Sequence, residues 1–549
     1  MGHAVIISLS LIGLMAPVGA AQAGLLPDRV EKAARERVAG GLYPTLVIGM
    51  VDGEKDEIAA FGTLPDGRAA DSDTVFEIGS VTKTFTATLL ADAVRTGEVH
   101  LDEPVAALLP GFRIPERNGK AITLLDIATQ YSGLPWMPSN FEPADPLNPY
   151  ADYDAARLEA FLAGYELPRD PGTSYEYSNL AVGMLGYALA EKAKTNYRDL
   201  LAQKILHPLG MTMSGTAFTD EMKMHLAPGF DGQGKPALNW DMDVLAGAGA
   251  IRSTVADMLR YLRANMGLES TGLTPAMKLA QASRRDFGEG GHIGLAWMTR
   301  PDPQGDIVWH NGMTGGYASF VGLSADGRHG IVILTNKAAN VDELGFAALL
   351  PDAHLSPVPK AVAMTGEQLD DYVGNYKLRD NFLIRVNRAG DQLAAQATGQ
   401  GAFPIFPSGT NEFFARVADV SISFTRDEKG AVDGLVLHQL GDHAAPELSA
   451  AELPAEPKAV RLDAVILRDY IGKFALAPDA VLEVTLADAQ LSAQLTGQPA
   501  FPIYASDKDK FFYKIVEAQI DFERDANGKV SSLTLHQAGR DLPASRLSP

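Results

Sequence analysis

Between residue 369 and the C-terminus the sequence repeats itself. "LDDYVGNY" (369–376) returns as "LRDYIGKF" (467–474), "QATGQGAFPIF" (396–406) as "QLTGQPAFPIY" (494–504), and "LVLHQ" (435–439) as "LTLHQ" (533–537). Every pair is 98 residues apart, without insertion or deletion. A unit that returns intact at a fixed offset is a structural module, so whatever fold it takes, it takes twice. Within each copy the apolar residues alternate: "VSISFTRDEKGAVDGLVLHQ" and "QIDFERDANGKVSSLTLHQ" read as strand, Gly-containing turn, strand. Short strands with almost no helical periodicity point to a small antiparallel β-barrel, lipocalin-like in kind. Pro-rich segments, "LLPDAHLSPVPKAV" (349–362) and "AAELPAEPKAV" (450–460), mark the joints. The expected layout is therefore one large unit over 24–355 and two modules over 366–450 and 461–549. His438 and His536 fall at equivalent repeat positions, which argues for a structural role rather than ligand binding.

The large unit has a different texture. It opens on two alternating runs, "TLVIGMVDG" and "EIAAFGTL", a hairpin pattern, and closes on "IVWHNGMTGGYASFVGLSADGRHGIVILTN", further strands with turns. Between them lie helical patterns such as "ARLEAFLAGY", "LAVGMLGYALAEKAK" and "TVADMLRYLRANM". Strands from both ends with helices inserted between them predict an α/β sandwich with an antiparallel sheet and a helical subdomain, and a cleft where the two meet.

The chain has 549 residues, no cysteine and a net charge of −21. Disulfides, thiolate metal sites and a cysteine nucleophile are excluded, and the charge argues against nucleic acid as a partner. The first 23 residues carry an apolar run closing on Ala21-Gln22-Ala23, the pattern of a signal peptide cut after Ala23. No later run is long enough to span a membrane, so the expected mature protein is periplasmic or secreted, without an integral membrane segment.

Chemistry enters at "FEIGSVTKTFTATLLA" (76–91), which reads as the start of an amphipathic helix. Ser80 there fits a helix cap as well as a nucleophile. Positions i and i+3 share a helix face, so Lys83 can reach Ser80 and manage its proton. "PGTSYEYSNLAVGMLG" sets Tyr177 and Asn179 two residues apart before a helical run. Tyr177 can accept a proton if a cation such as Lys83 lowers its pKa, and Asn179 can hold Lys83 or a substrate amide. In "WHNGMTGGY", His310 and Gly312 would share a strand face toward the cleft, with Gly312 leaving room for a substrate backbone.

S-x-x-K, Y-x-N and H-x-G in this order resemble the serine hydrolases related to class C β-lactamases and penicillin-binding proteins. The resemblance extends over most of residues 35–340, with "LDEPVAALLPGF", "ITLLDIATQYSGLP", "ILHPLGMTMSGT", "AGAIRSTVADMLRYL" and "HIGLAWM" as further family phrases. It implies an acyl-enzyme on Ser80, with Lys83 and Tyr177 sharing general-base and general-acid work. It also implies Asn179, His310 and Gly312 at the substrate, and an oxyanion hole made by the backbone N–H groups of Ser80 and Met313. No metal and no cofactor are called for. Many relatives carry K-T-G where this chain has His310-Asn311-Gly312. A mostly neutral His is a poor partner for a β-lactam carboxylate, and the H-x-G form resembles the D-aminopeptidases and certain esterases. D-aminopeptidases also carry two C-terminal barrels.

The expectation is thus a peptidase for short linear or D-amino-acid-containing peptides, linearised cyclic peptides included. The alternatives are a carboxylesterase with weak β-lactamase activity and a non-catalytic binder of cell-wall peptides. The loop "YASDKDKFF" (504–512), with Asp507 and Asp509, is the expected point of contact between the second barrel and a substrate ammonium.

Overall fold

The computed structural model describes residues 24–547 apart from 289, 358–359, 380–381, 399–401, 416–419, 439–441, 450–458, 478–479, 488–489, 497–499, 514–517, 526 and 538–539. The expected signal peptide, and most of the Pro-rich joint at 450–460, lie outside the described residues.

The N-terminal segment is built on one eight-stranded antiparallel sheet. Its strands are β1 (Thr45–Asp52), β2 (Lys55–Gly62), β3 (Arg285–Gly288), β4 (Gly291–Ile293), β5 (Met298–Arg300), β6 (Ile307–Met313), β7 (Ala318–Ser324) and β8 (His329–Thr335). The order β2-β1-β8-β7-β6-β5-β4-β3 places the first hairpin against the last strand, with Leu46 opposite Thr335 and Asp52 opposite His329. Both ends of the segment thus meet in one sheet, as the two alternating regions predict.

Strand alternation splits the sheet into two buried faces. Leu46, Ile48 and Met50 of β1 pack with helices α1 (Asp28–Ala39) and α5 (Asp342–Leu349) through Val30, Ala34, Leu344 and Ala347. Val47 and Val51 join the larger core, to which α4 (Val255–Met266) contributes Val255, Leu259 and Leu262. Gly49 lies between them because a Cβ there would sit 2.7 Å from Val255 Cγ1.

Inside the larger core lies α2 (Thr82–Thr96), and here the structure departs from an amphipathic reading. Residues Thr82 to Asp92 are all buried. Its threonines tolerate this because they satisfy their hydroxyls on nearby carbonyls: Thr84 Oγ1 donates to Val81 O (2.8 Å), Thr88 Oγ1 to Thr84 O (2.9 Å) and Thr86 Oγ1 to Gly247 O (2.8 Å). Gly97, at φ 76°, ends the helix in the left-handed conformation that a Cβ would oppose.

Each repeat forms eight sequential antiparallel strands. The first runs from Gly374–Arg379 to Asp442–Pro446 and the second from Gly472–Ala477 to Arg540–Arg546. The second closes into a barrel by pairing Phe474 with Arg546. In the first, a bridge from Tyr376 to Glu447 brings the outer strands together.

The offset of 98 is carried into the cores. Tyr372 packs edge-on against Phe413 and Tyr470 against Phe511, each pair at 4.8 Å between ring centroids. Arg426 Nε donates to Asn411 Oδ1 (2.9 Å), and Arg524 Nε to Asp509 Oδ1 (2.8 Å). Asp509 also accepts from Tyr470 Oη. Asp509 is therefore tied into its own barrel by an arginine and a tyrosine, not held out for a substrate ammonium. His438 bonds Ser423 and Asp442, and His536 bonds Asp541. Among the described residues no group of three His, Cys, Asp or Glu could hold a metal ion, and no helix is long and apolar enough to cross a membrane.

Candidate active site

Ser80 sits in a single 3-10 turn, Gly79–Val81, directly before α2. Its side chain caps nothing; instead Lys83 Nζ lies 2.8 Å from its Oγ, the i,i+3 contact that the spacing predicts. The turn is held from the sheet side. Ser319 Oγ on β7 donates to Ile78 O at 2.7 Å, and Gly79, at φ 48°, lies so close to β6 that a Cβ would come within 2.6 Å of Met313 N.

Lys83 is fully buried, and burial lowers its pKa well below 10.5. Besides Ser80, its Nζ reaches Asn179 Oδ1 (2.7 Å) and Ala248 O (2.8 Å). Those two oxygens can only accept, whereas the Ser80 hydroxyl can also donate. A neutral amine has two N–H groups and one lone pair. Given to the two carbonyls, the N–H groups leave the lone pair facing the Ser80 hydroxyl.

Tyr177 and Asn179 are set from both sides by the loop 130–136. Gln130 O accepts from Glu176 N, Gln130 Oε1 from Ser178 N (2.8 Å), and Trp136 O from Asn179 N (3.0 Å). Ser178 caps helix α3 (Asn179–Lys192) through Ala181 N and donates to Pro135 O. Tyr177 faces Ser80 across the cleft, and burial raises its pKa above the usual phenol value. The expectation that Lys83 lowers the pKa of Tyr177 is thus not met: burial raises the tyrosine and lowers the lysine, so the lysine is the readier of the two to give up its proton.

His310 and Gly312 do share a face of β6, and that face meets the Ser80 turn. Gly312 lines the cleft, and the space its Cβ would take is filled by the chain itself: a Cβ would stand 2.0 Å from Ile78 O and 2.9 Å from Ser80 N. His310 is 2% exposed and does not line the cleft. Its Nδ1 donates to Asn311 O (2.5 Å), and burial with the nearby Lys83 lowers its pKa to about 3. It is a neutral group behind Ser80 and Lys83, and it cannot stand in for a cationic lysine.

A consequence is measurable in unfolding experiments. The unfolded chain protonates this histidine near its ordinary 6.5 while the folded one resists down to about 3. The folded pKa is depressed, so the stabilisation is complete above 6.5 and is lost as pH falls toward 3. Compared with His310→Asn in urea titrations, the wild type should lose up to about 1.4 kcal/mol per pH unit in that window. A difference that stays constant with pH would mean His310 ionises freely in the fold.

Met313 N–H is aimed off the strand. Thr314 N donates to Tyr317 O across the β6–β7 ladder, so alternation turns Met313 N–H to the opposite edge. There β5 pairs only as far as Trp309. Met313 N–H and Ser80 N–H, the latter a first-turn donor without an intrahelical partner, therefore lie close together at the cleft.

The cleft has a volume of about 270 Å³ and is lined by Ser80, Tyr177, Asn179 and Met313 together with residues no motif announced. Residues 30–352 match the family described as Beta-lactamase. The chain belongs to the β-lactamase family. Residues 358–455 and 456–546 each match a domain of unknown function, DUF3471. The chain is 24% identical to penicillin-binding protein 4* of Bacillus subtilis (strain 168) over 434 residues, 73% of this chain and 90% of that protein. It is also 24% identical to the D-alanyl-D-alanine-carboxypeptidase/endopeptidase AmpH of Escherichia coli (strain K12), over 61% of this chain and 90% of AmpH. A class C β-lactamase structure superposes with a TM-score of 0.53 at 22% identity, covering 60% of this chain and 97% of its own, which fixes the fold. Like its relatives, this β-lactamase-family protein is a serine hydrolase.

Within that family frame, seven cleft residues were not among the expected site residues, Trp136, Asn311, Ser319 and Asp342 among them. Trp136 is 61% exposed at the rim. Asn311 Nδ2 donates to Asp342 Oδ2 at 2.7 Å, and burial lifts the Asp342 carboxyl to about 6. The H-N-G triplet held one signal for this pair, since the residue between His310 and Gly312 must point to the other face of the strand.

Proposed function

We propose that this chain is an exported peptidase that cleaves short linear peptides, D-residue peptides included, through an acyl-enzyme on Ser80. The observation that carries the reading is the Lys83 amine, buried and flanked by two pure acceptors, with its third direction on Ser80 Oγ. Lys83 takes the hydroxyl proton as Oγ bonds to the substrate carbonyl carbon. The carbonyl oxygen, now carrying the charge, is received by Ser80 N–H and Met313 N–H. As the C–N bond breaks, Tyr177 gives its phenolic proton to the departing amine and regains one from the Lys83 ammonium. Water then frees the acyl group by the reverse sequence.

Peptide as substrate is supported by the open edge of β6 beyond Trp309, where an extended backbone can add alongside the strand. It is supported too by the AmpH relative, a D-alanyl-D-alanine-carboxypeptidase/endopeptidase. Ester cleavage follows from the same acyl-enzyme and is the second activity. The Ser80–Lys83 contact argues against a purely binding protein. Export rests on the leader expected over 1–23.

The experiment is mass spectrometry after a fluorophosphonate. An adduct on the peptide containing Ser80, lost in Ser80→Ala with the fold retained, is the expected result. Full activity in Ser80→Ala, or a stable adduct on another serine, overturns the reading.

A further inference from the structure

The cleft carries an unbalanced charge. Among the described residues that line it, Asp342 is the one charged side chain. Its Oδ2 accepts from Asn311 Nδ2 (2.7 Å) and Asn340 Nδ2 (3.1 Å), which fix the carboxylate in place. Its Oδ1 has no partner among the described residues, and no lysine, arginine or histidine forms an ion pair with it. The adjacent Glu343 is already committed, to Arg37 and to Ser356. A half-buried carboxylate with a free oxygen and no counter-ion is costly to keep unless something cationic meets it.

Position says what that cation belongs to. Asn311, which holds Asp342, precedes Met313 by two residues on β6, a rise of about 7 Å. The carboxylate therefore lies on the Ser80 cleft, within about two extended residues of the carbonyl held between Ser80 N–H and Met313 N–H. Trp136, exposed on the same cleft, offers an aromatic face, and ring faces attract cations. The net charge of −21 draws cations to the molecule as a whole.

We propose that Asp342 is a specificity residue that selects substrates bearing an ammonium group within about two residues of the scissile carbonyl. The chemical class is a peptide or ester with a free amine near the cleavage point, not one ending there in a carboxylate. This rests on the reading of Ser80 as the acylated residue, and it specifies what that site accepts.

Two isosteric substrate pairs test it. One puts the charge on the acyl side: the p-nitrophenyl esters of β-alanine and of butyric acid. The other puts it on the leaving side: acetylcholine and 3,3-dimethylbutyl acetate. The expected result is a higher kcat/KM for the charged member of at least one pair, with the ratio falling about tenfold or more in Asp342→Asn, as loss of a charge-assisted contact predicts. Asp342→Lys should reverse the preference. Because only ratios within one enzyme are compared, a variant of lowered overall activity still answers the question. A wild type indifferent to charge in both pairs, or a preference that survives Asp342→Asn, overturns the proposal. Failure of the Ser80 reading looks different: no acyl adduct on Ser80 with any of the four esters, whatever the ratios.

Discussion

Replacing Lys83 with methionine should lower kcat/KM by about 10² to 10⁴, the range supplied by a positioned proton acceptor, and should at the same time remove a pH dependence from the stability of the fold. The second effect decides whether the mechanism is right. Burial depresses the pKa of Lys83 in the folded state, while in the unfolded chain the amine titrates at its ordinary 10.5. In the pH range immediately below 10.5 the unfolded state therefore holds one more proton than the folded state. Stability rises with pH there, by about 1.4 kcal/mol per unit for one proton, and is lost as pH falls. Methionine has no proton to exchange, so the difference in unfolding free energy between wild type and Lys83→Met should change at that slope. Its absolute value matters less, because methionine relieves the buried amine but leaves Ala248 O and Asn179 Oδ1 without their donor. A flat difference across that range would mean Lys83 is an ammonium in the folded protein. It could then not take the Ser80 proton, whatever the kinetic loss.

What the sequence made legible was whatever depends on spacing alone. The 98-residue offset forces two like modules, and even the Tyr372–Arg426 and Tyr470–Arg524 contacts keep it. The S-x-x-K spacing forces Ser80 and Lys83 together, because a helical turn leaves no other choice. Alternation in the first and last strands was enough to bring β1 against β8.

What stayed hidden depends on partners remote in the chain. Asp342 in "NVDELG" looks like any acid in a first helical turn; only Asn311, 31 residues earlier, turns it into a cleft residue. Asp509 looked available because its arginine lies 15 residues away and its tyrosine 39. The protonation of Lys83 and Tyr177 could not be ordered from residue types, since burial, not mutual charge, sets both. The helix α2 misled for a related reason: threonines read as polar, yet Thr84, Thr86 and Thr88 each bond a carbonyl and lie inside.

Gly312→Ala should be the most damaging single methyl group in the chain. A Cβ at 312 would lie 2.0 Å from Ile78 O, 2.6 Å from Ser319 Oγ and 2.9 Å from Ser80 N. Serine 319 could rotate, but the two backbone atoms cannot yield without moving the Ser80 turn away from β6. In the proposed mechanism that turn and β6 each supply one N–H to the developing oxyanion. Their separation sets whether both can reach the same oxygen, and loss of one such donor costs about 10² to 10³ in kcat. Overpacking should add about 1 to 3 kcal/mol of destabilisation, so stability and chemistry must be read separately. In a preparation shown to be folded by near-UV circular dichroism, the burst of p-nitrophenol on an activated ester should slow by at least about 10². Ser319→Ala, which removes only the hydroxyl that holds Ile78 O, should cost far less, since it leaves the turn in contact with the strand. If folded Gly312→Ala acylates at the wild-type rate, the close approach of the two backbones is not what stabilises the transition state. The paired N–H groups of Ser80 and Met313 would then have to be given up as the oxyanion site.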